Sequence, residues 1–206
     1  MKTLDTTTSL TTIDYADEGR KLLARVNLEQ ELGKYKTPYS FANLIYRHPK
    51  TGAGLYVGNY RVAESIDRLD SLCENCRRIV FCQDGDGKKH FESNPEFKYL
   101  TFSIGRWRSV PNIRTDLKTM HAFFEPLFEF LDEELGVHGN SVLIHCLAGA
   151  HRAGTAGIAS LMHLTGMNVL EATQTAKTLR PIINPIGDFP LLLDLLEKAM
   201  KKYATT

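Results

Sequence analysis

Ser141-Val-Leu-Ile-His145-Cys146-Leu-Ala-Gly149-Ala-His151-Arg152-Ala153-Gly154-Thr155 is the stretch on which the reading of this chain turns. Val142 to Ile144 is short and wholly apolar, as expected of a central strand buried on both faces. The loop runs from Cys146 to Arg152, and the small residues after it open a helix. In open α/β sheets, ligand sites lie beyond the carboxyl ends of the strands. A loop at a helix N-terminus turns its free N–H groups, and the positive end of the helix dipole, into that space.

Strands and helices alternate on either side of it. Arg78 to Cys82 reads as a strand preceded by a helix from Ala63 to Leu72. Tyr99 to Ile104 reads as another, with Leu100, Phe102 and Ile104 pointing inward. Leu117, Met120, Phe124, Leu127, Leu131 and Leu135 mark an amphipathic helix, with a kink or restart expected at Pro126. Helices are predicted over Gly154–Leu164, Val169–Leu179 and Asp188–Tyr203, the last with Asp188 as N-cap. Upstream, Pro38–Tyr46 and Gly54–Val57 are strand-like, separated by the turn-rich HPKTGAG. Leu22, Leu23 and Val26 share one helical face, and Leu28 and Leu32 pair four apart, which predicts an accessory helix. Residues 1 to about 12 read as a tail. The expected fold is a single α/β domain, with a central, mainly parallel sheet flanked by helices on both faces. Its expected parts are a tail and accessory helix over 1–36 and a catalytic domain over 37–206.

Composition narrows the function. With 206 residues, 43% apolar and 24% charged, the chain fits one soluble domain. A formal net charge of +1 gives no field for nucleic acid. No segment approaches the roughly 20 apolar residues of a membrane span. The N-terminal stretch lacks the apolar run of a secretory signal, so a cytoplasmic or nuclear home is expected. Four cysteines, Cys73, Cys76, Cys82 and Cys146, are too few and too clustered for a disulfide framework.

The loop suits phosphate. Leu147, Ala148 and Ala150 carry no charge to repel a dianion, and Gly149 lets successive amides turn inward as a nest. His151 lies within the same loop. The amides, the helix dipole and Arg152 all favour a thiolate at Cys146. A thiolate can attack phosphorus and form a phosphocysteine, dividing one difficult displacement into two easier ones. Arg152 supplies a planar fork for two phosphate oxygens. No metal or cofactor is required.

HCLAGAHRAGT resembles the HCxxGxxR loop of cysteine-dependent protein phosphatases, and its surroundings, from about Gly54 to Ala199, resemble a small dual-specificity phosphatase. Gly54 to Asn59 is similar to that family's opening strand. Arg180-Pro181, with Pro185 and Phe189, is similar to its closing segment. The resemblance implies a protein phosphatase acting on phosphotyrosine, and on phosphoserine or phosphothreonine, with a phosphorylated protein as partner. It makes Cys146 the nucleophile, Arg152 the clamp and His145 a loop-ordering residue that works by hydrogen bonding. Two other outcomes stay open: a phosphatase for a non-protein phosphate ester, and a weakly active module that binds phosphorylated partners.

Two departures from the family pattern stand out. The residue after the arginine is Ala153 rather than Ser or Thr, and Thr155 is the nearest hydroxyl downstream, so slower turnover is expected. The family's general acid is an aspartate about thirty residues before the cysteine. The corresponding positions here, near Arg106 and Arg114, are not acidic. Asp116 is the nearest carboxylate, either as the acid or as a helix-start residue. Arg106, Trp107, Arg108 and Arg114 are expected to form a cleft wall that attracts acidic or phosphorylated partners. Cys82, at the end of a strand whose carboxyl edge Cys146 shares, is a candidate redox partner for it. Cys73 and Cys76 form one CxxC pair, too few for zinc and better read as buried thiols. Asp84-Gly-Asp86-Gly87 is followed by lysines and reads as a solvated turn rather than a calcium loop.

Overall fold

The computed structural model describes residues 13–31, 39–85 and 87–203. The expected tail, Leu32 with its pairing to Leu28, and the boundary between 36 and 37 lie outside the described residues. Among the described residues, five strands, β1 (Ala42–Arg47), β2 (Gly54–Gly58), β3 (Arg78–Phe81), β4 (Lys98–Thr101) and β5 (Val142–His145), form one sheet in the order β1-β2-β5-β3-β4. Among the described residues, only β1 runs antiparallel to its neighbour. The apolar run at Val142 forms β5, the middle strand, flanked by β2 and β3 and buried throughout.

Side chains alternate across the sheet, and each face has its own core. Tyr56, Ile79 and Leu143 pack with α2 (Tyr60–Ala63) and α3 (Ile66–Cys73) on one face. Val57, Val80, Val142 and Ile144 face the larger core on the other. That core is closed by α4 (Leu117–Leu131), α5 (Arg152–Thr165), α6 (Val169–Leu179) and α7 (Phe189–Tyr203). The predicted single α/β domain with a mainly parallel sheet is therefore the observed one. The accessory helix is α1 (Tyr15–Glu31).

Local departures have local causes. The strand expected to reach Ile104 stops at Thr101. Phe102 and Ile104 still point into the core, but Ile104–Ser109 coils into a 3-10 turn. Pro126 does not break α4. Pro126 and Ala122, whose carbonyl loses its usual partner, both sit on the exposed face, where water can serve that oxygen. The irregularity comes instead as a π-helical turn at Asp132–Val137.

Candidate active site

β5 ends at His145 and α5 begins at Arg152, so the loop between them lies at the carboxyl edge of the sheet. Its carbonyls define its shape. Leu147 O accepts from Tyr60 N (3.2 Å), Ala150 O from Asn184 N (3.1 Å) and His151 O from Thr155 N (2.8 Å). Ala148 O accepts from the Tyr39 hydroxyl (3.1 Å) and Gly149 O from Arg180 Nε (2.9 Å). Five consecutive carbonyls are thus held by donors outside the loop. In a trans peptide the N–H points opposite to the C=O, so the amides from Ala148 to Arg152 turn away from those donors, toward the loop's centre. This is an anion nest.

Gly149 makes the turn at φ +67°, and a β-carbon there would collide with the Gly58 carbonyl. Cys146 and Arg152 are both 3% exposed, at opposite ends of the nest. The expected phosphate-loop residues from Cys146 to Arg152 are therefore brought together. Ala153 is buried behind them, and the Thr155 hydroxyl is spent on His151 O at 2.7 Å.

His145 is buried, with its ring edge-on to Phe81 at 5.4 Å between centroids. Burial pushes its pKa down to about 3, so the imidazole is neutral. An interaction with the Cys146 backbone works against that burial. His145 thus sits beneath the loop, packed against Phe81 and beside the Cys146 backbone. His151 turns its Nδ1 to Asn184 O at 2.7 Å, placing it beside the closing segment.

Arg180 is the residue whose weight the sequence reading missed. It is 1% exposed. Besides Gly149 O, it donates through Nη1 to Ser40 O (3.0 Å) and Asn43 Oδ1 (2.6 Å). Tyr39 in turn accepts from Asn59 Nδ2 at 2.9 Å. One buried guanidinium thus ties the loop to Ser40, just before β1, and to Asn43 within it. The Arg-Pro pair in the closing segment was the available signal.

α1 lies against the outer side of the loop. Leu22 and Val26 pack with Ala148, Ala150 and Ile182. A cleft of about 430 Å³ opens beside it, lined by Asp14, Tyr15 and Arg20 of the α1 region, by Asp84, by Gly105 and Arg106, and by Arg152. Tyr15 stacks on Phe189 at 4.5 Å, and burial pushes its hydroxyl up to about 12.

The other expected residues lie as follows. Asp116 caps α4, accepting from Lys118 N and Thr119 N, both at 3.1 Å, and from the Thr119 hydroxyl at 2.6 Å. Those hydrogen bonds lower its pKa, and it does not line the cleft. The geometry thus supports its helix-start role. Of the expected arginine-rich wall, only Arg106 lines the cleft. Trp107 is buried in the core, Arg108 pairs with Asp188 at 2.5 Å, and Arg114 is exposed elsewhere. The expectation of one continuous basic wall is corrected accordingly. Cys82 is buried, and its N–H donates to His145 O at 2.9 Å, one residue from Cys146. Cys73 and Cys76 are buried thiols, and Cys76 donates to Arg78 O and Ser141 O. Among the described residues no cluster suits a metal ion. Asp84 is not a solvated turn residue. Its side chain is 13% exposed, and Oδ2 lies 3.4 Å from Arg152 Nη1.

A nest of inward amides thus lies between a buried cysteine and a buried arginine at the carboxyl edge of this sheet. The family model for the dual specificity phosphatase catalytic domain matches residues 87–198, and the chain belongs to that family. It is 37% identical over 148 residues to Dual specificity protein phosphatase 1 of Arabidopsis thaliana, covering 72% of this chain and 68% of that protein. Against Dual specificity protein phosphatase 15 of Rattus norvegicus it is 29% identical, covering 66% of this chain but 51% of the relative. A mouse putative dual specificity phosphatase complexed with zinc tungstate superposes with a TM-score of 0.59 at 22% identity, over 82% of this chain and 94% of that one. Human DUSP28 does so with a TM-score of 0.58 at 18% identity, over 79% and 96%. At these identities the two structures speak for the fold.

Proposed function

We propose that the chain hydrolyses phosphate monoesters on proteins, phosphotyrosine first and phosphoserine or phosphothreonine with it, through a phosphocysteine on Cys146. The observation that carries this reading is the set of five loop carbonyls held outward, which leaves the amides to receive three phosphate oxygens. The Cys146 thiolate attacks phosphorus, and the bond to the ester oxygen breaks with its electron pair on that oxygen. Arg152 holds two equatorial oxygens as charge redistributes. Water then attacks the phosphocysteine, releasing phosphate and restoring the thiolate. Ala153 gives that thiolate no adjacent hydroxyl, so this second step is the slow one. A cytosolic or nuclear setting, where thiols stay reduced, suits the chemistry.

A second reading, a module that binds phosphorylated partners and turns over poorly, draws on the capping role of Asp116 together with Ala153. Steady-state hydrolysis of an activated aryl phosphate decides between them. Turnover in the wild-type chain that disappears in Cys146→Ser, with phosphate binding kept, supports the enzyme. Arg152→Lys then loses most of both, because a point charge cannot replace the fork. Wild-type turnover surviving in Cys146→Ser overturns the mechanism.

A further inference from the structure

A phosphocysteine mechanism needs a proton for the departing oxygen, and the loop before α4 offers no carboxyl in the cleft. Among the described residues, the cleft-lining carboxylate of Asp84 lies 3.4 Å from the phosphate clamp. It stands on the loop after β3, at the same carboxyl edge as Cys146. Its Oδ2 occupies the space that a β-carbon on Gly105 would fill, so the absence of a side chain at 105 makes room for the carboxyl. Asp14, the other carboxylate lining the cleft, is committed to the backbone N–H groups of Ala16 and Asp17.

We infer that Asp84 is the proton donor to the leaving oxygen, replacing an acid on the loop before α4. The inference rests on the phosphocysteine reading above. In the first step, as the bond from phosphorus to the ester oxygen breaks, the Asp84 carboxyl proton passes to that oxygen and leaves a carboxylate. In the second, the carboxylate takes a proton from the water that attacks phosphorus, and the P–S bond breaks back to a thiolate. Among the described residues, the titratable and charged groups beside Asp84 include Arg152 at the start of α5, the Cys82 thiol just after β3, Arg106 on the 3-10 turn, and Asp14, Tyr15 and Arg20 of the α1 region. Arg152 favours the carboxylate in the empty site. A phosphate dianion takes over the guanidinium and sets negative charge beside Asp84, which favours the protonated form when substrate is bound.

The test compares the wild-type chain with Asp84→Asn, Asp116→Asn and Cys146→Ser on phenyl phosphate and on an activated aryl phosphate. Asparagine keeps an oxygen for Arg152 but has no acidic proton, so it separates proton donation from positioning. Expected is a kcat on phenyl phosphate lowered about 100-fold in Asp84→Asn. The loss shrinks to about tenfold or less on the activated ester, which needs no proton, and the fall of kcat at high pH disappears. Inhibition by inorganic phosphate stays within a few-fold, and Asp116→Asn, still a competent N-cap, matches wild type on both esters. If Asp84→Asn hydrolyses both esters as fast as wild type and binds inorganic phosphate more tightly, Asp84 merely occupies the clamp and the inference falls, with Cys146-dependent turnover intact. A loss confined to Asp116→Asn also overturns it. Turnover that does not depend on Cys146 overturns the underlying reading, and this inference with it.

Discussion

Replacing Arg180 tests whether the nest is built from outside the loop. Arg180→Ala removes three well-formed hydrogen bonds, to Gly149 O, Ser40 O and Asn43 Oδ1. Each acceptor left without a partner in a buried setting costs about 1–3 kcal/mol. Water entering the vacated space recovers part of that, so the expected loss over the three acceptors is about 3–5 kcal/mol. Against a usual stability of about 5–15 kcal/mol, that is a large share. Arg180→Lys keeps the charge but serves one acceptor at a time, so it should lose about half as much. With Gly149 O released, the loop's amides no longer converge, and inorganic phosphate should inhibit Arg180→Lys about tenfold less well. Urea unfolding followed by circular dichroism reads the first quantity, provided the slope is unchanged, and inhibition constants read the second. An Arg180→Ala chain within 1 kcal/mol of wild type, with unchanged phosphate inhibition, would falsify the account of the nest.

Two further outcomes follow from buried groups. His145 has a folded-state pKa of about 3 against an ordinary value of about 6.5, so the unfolded chain takes up a proton that the folded chain refuses. Its contribution is complete above pH 6.5 and is lost by about 1.4 kcal/mol per unit as the pH falls toward 3. His145→Asn should show a shallower loss of stability between pH 6.5 and 4.5, and equal slopes would refute the assignment. For Cys82 we propose the redox role: peroxide converts the Cys146 thiolate to a sulfenic acid, and the Cys82 thiol displaces water to form a disulfide. Non-reducing peptide mass spectrometry should then find a Cys82–Cys146 peptide, with activity restored by a dithiol. Equal recovery of Cys82→Ser and wild type from peroxide would remove the idea.

The legible parts of the sequence were those written in neighbouring residues. Val142 to Ile144 announced a central strand because a strand covered on both faces has no polar alternation to hide it. The loop was legible for the same reason, with its cysteine, glycine and arginine all within seven positions. Arg180 was legible only as the Arg-Pro of the closing segment, because its partners Ser40 and Asn43 stand 140 and 137 residues away and no local pattern marks the contact itself. Asp84 was missed because counting back from Cys146 searches one loop, whereas a parallel sheet gathers several loops at the same edge. Trp107 and Arg106 show the limit at single residues: adjacent in sequence on a 3-10 turn, one enters the core and the other faces the cleft.

The cleft is assembled from two sources, and this bears on inhibitor selectivity. Gly105, Arg106 and Arg152, which line the cleft, fall within residues 87–198, the segment matched by the family model. Asp14, Tyr15, Arg20 and Asp84, which border the same cleft, precede it. A compound that engages only the phosphate loop meets chemistry held in common by the family. One that carries a cation toward Asp14 and an aromatic ring toward Tyr15 draws its binding energy from the part of the cleft outside the matched segment. Binding energy beyond the nest is therefore to be sought along α1.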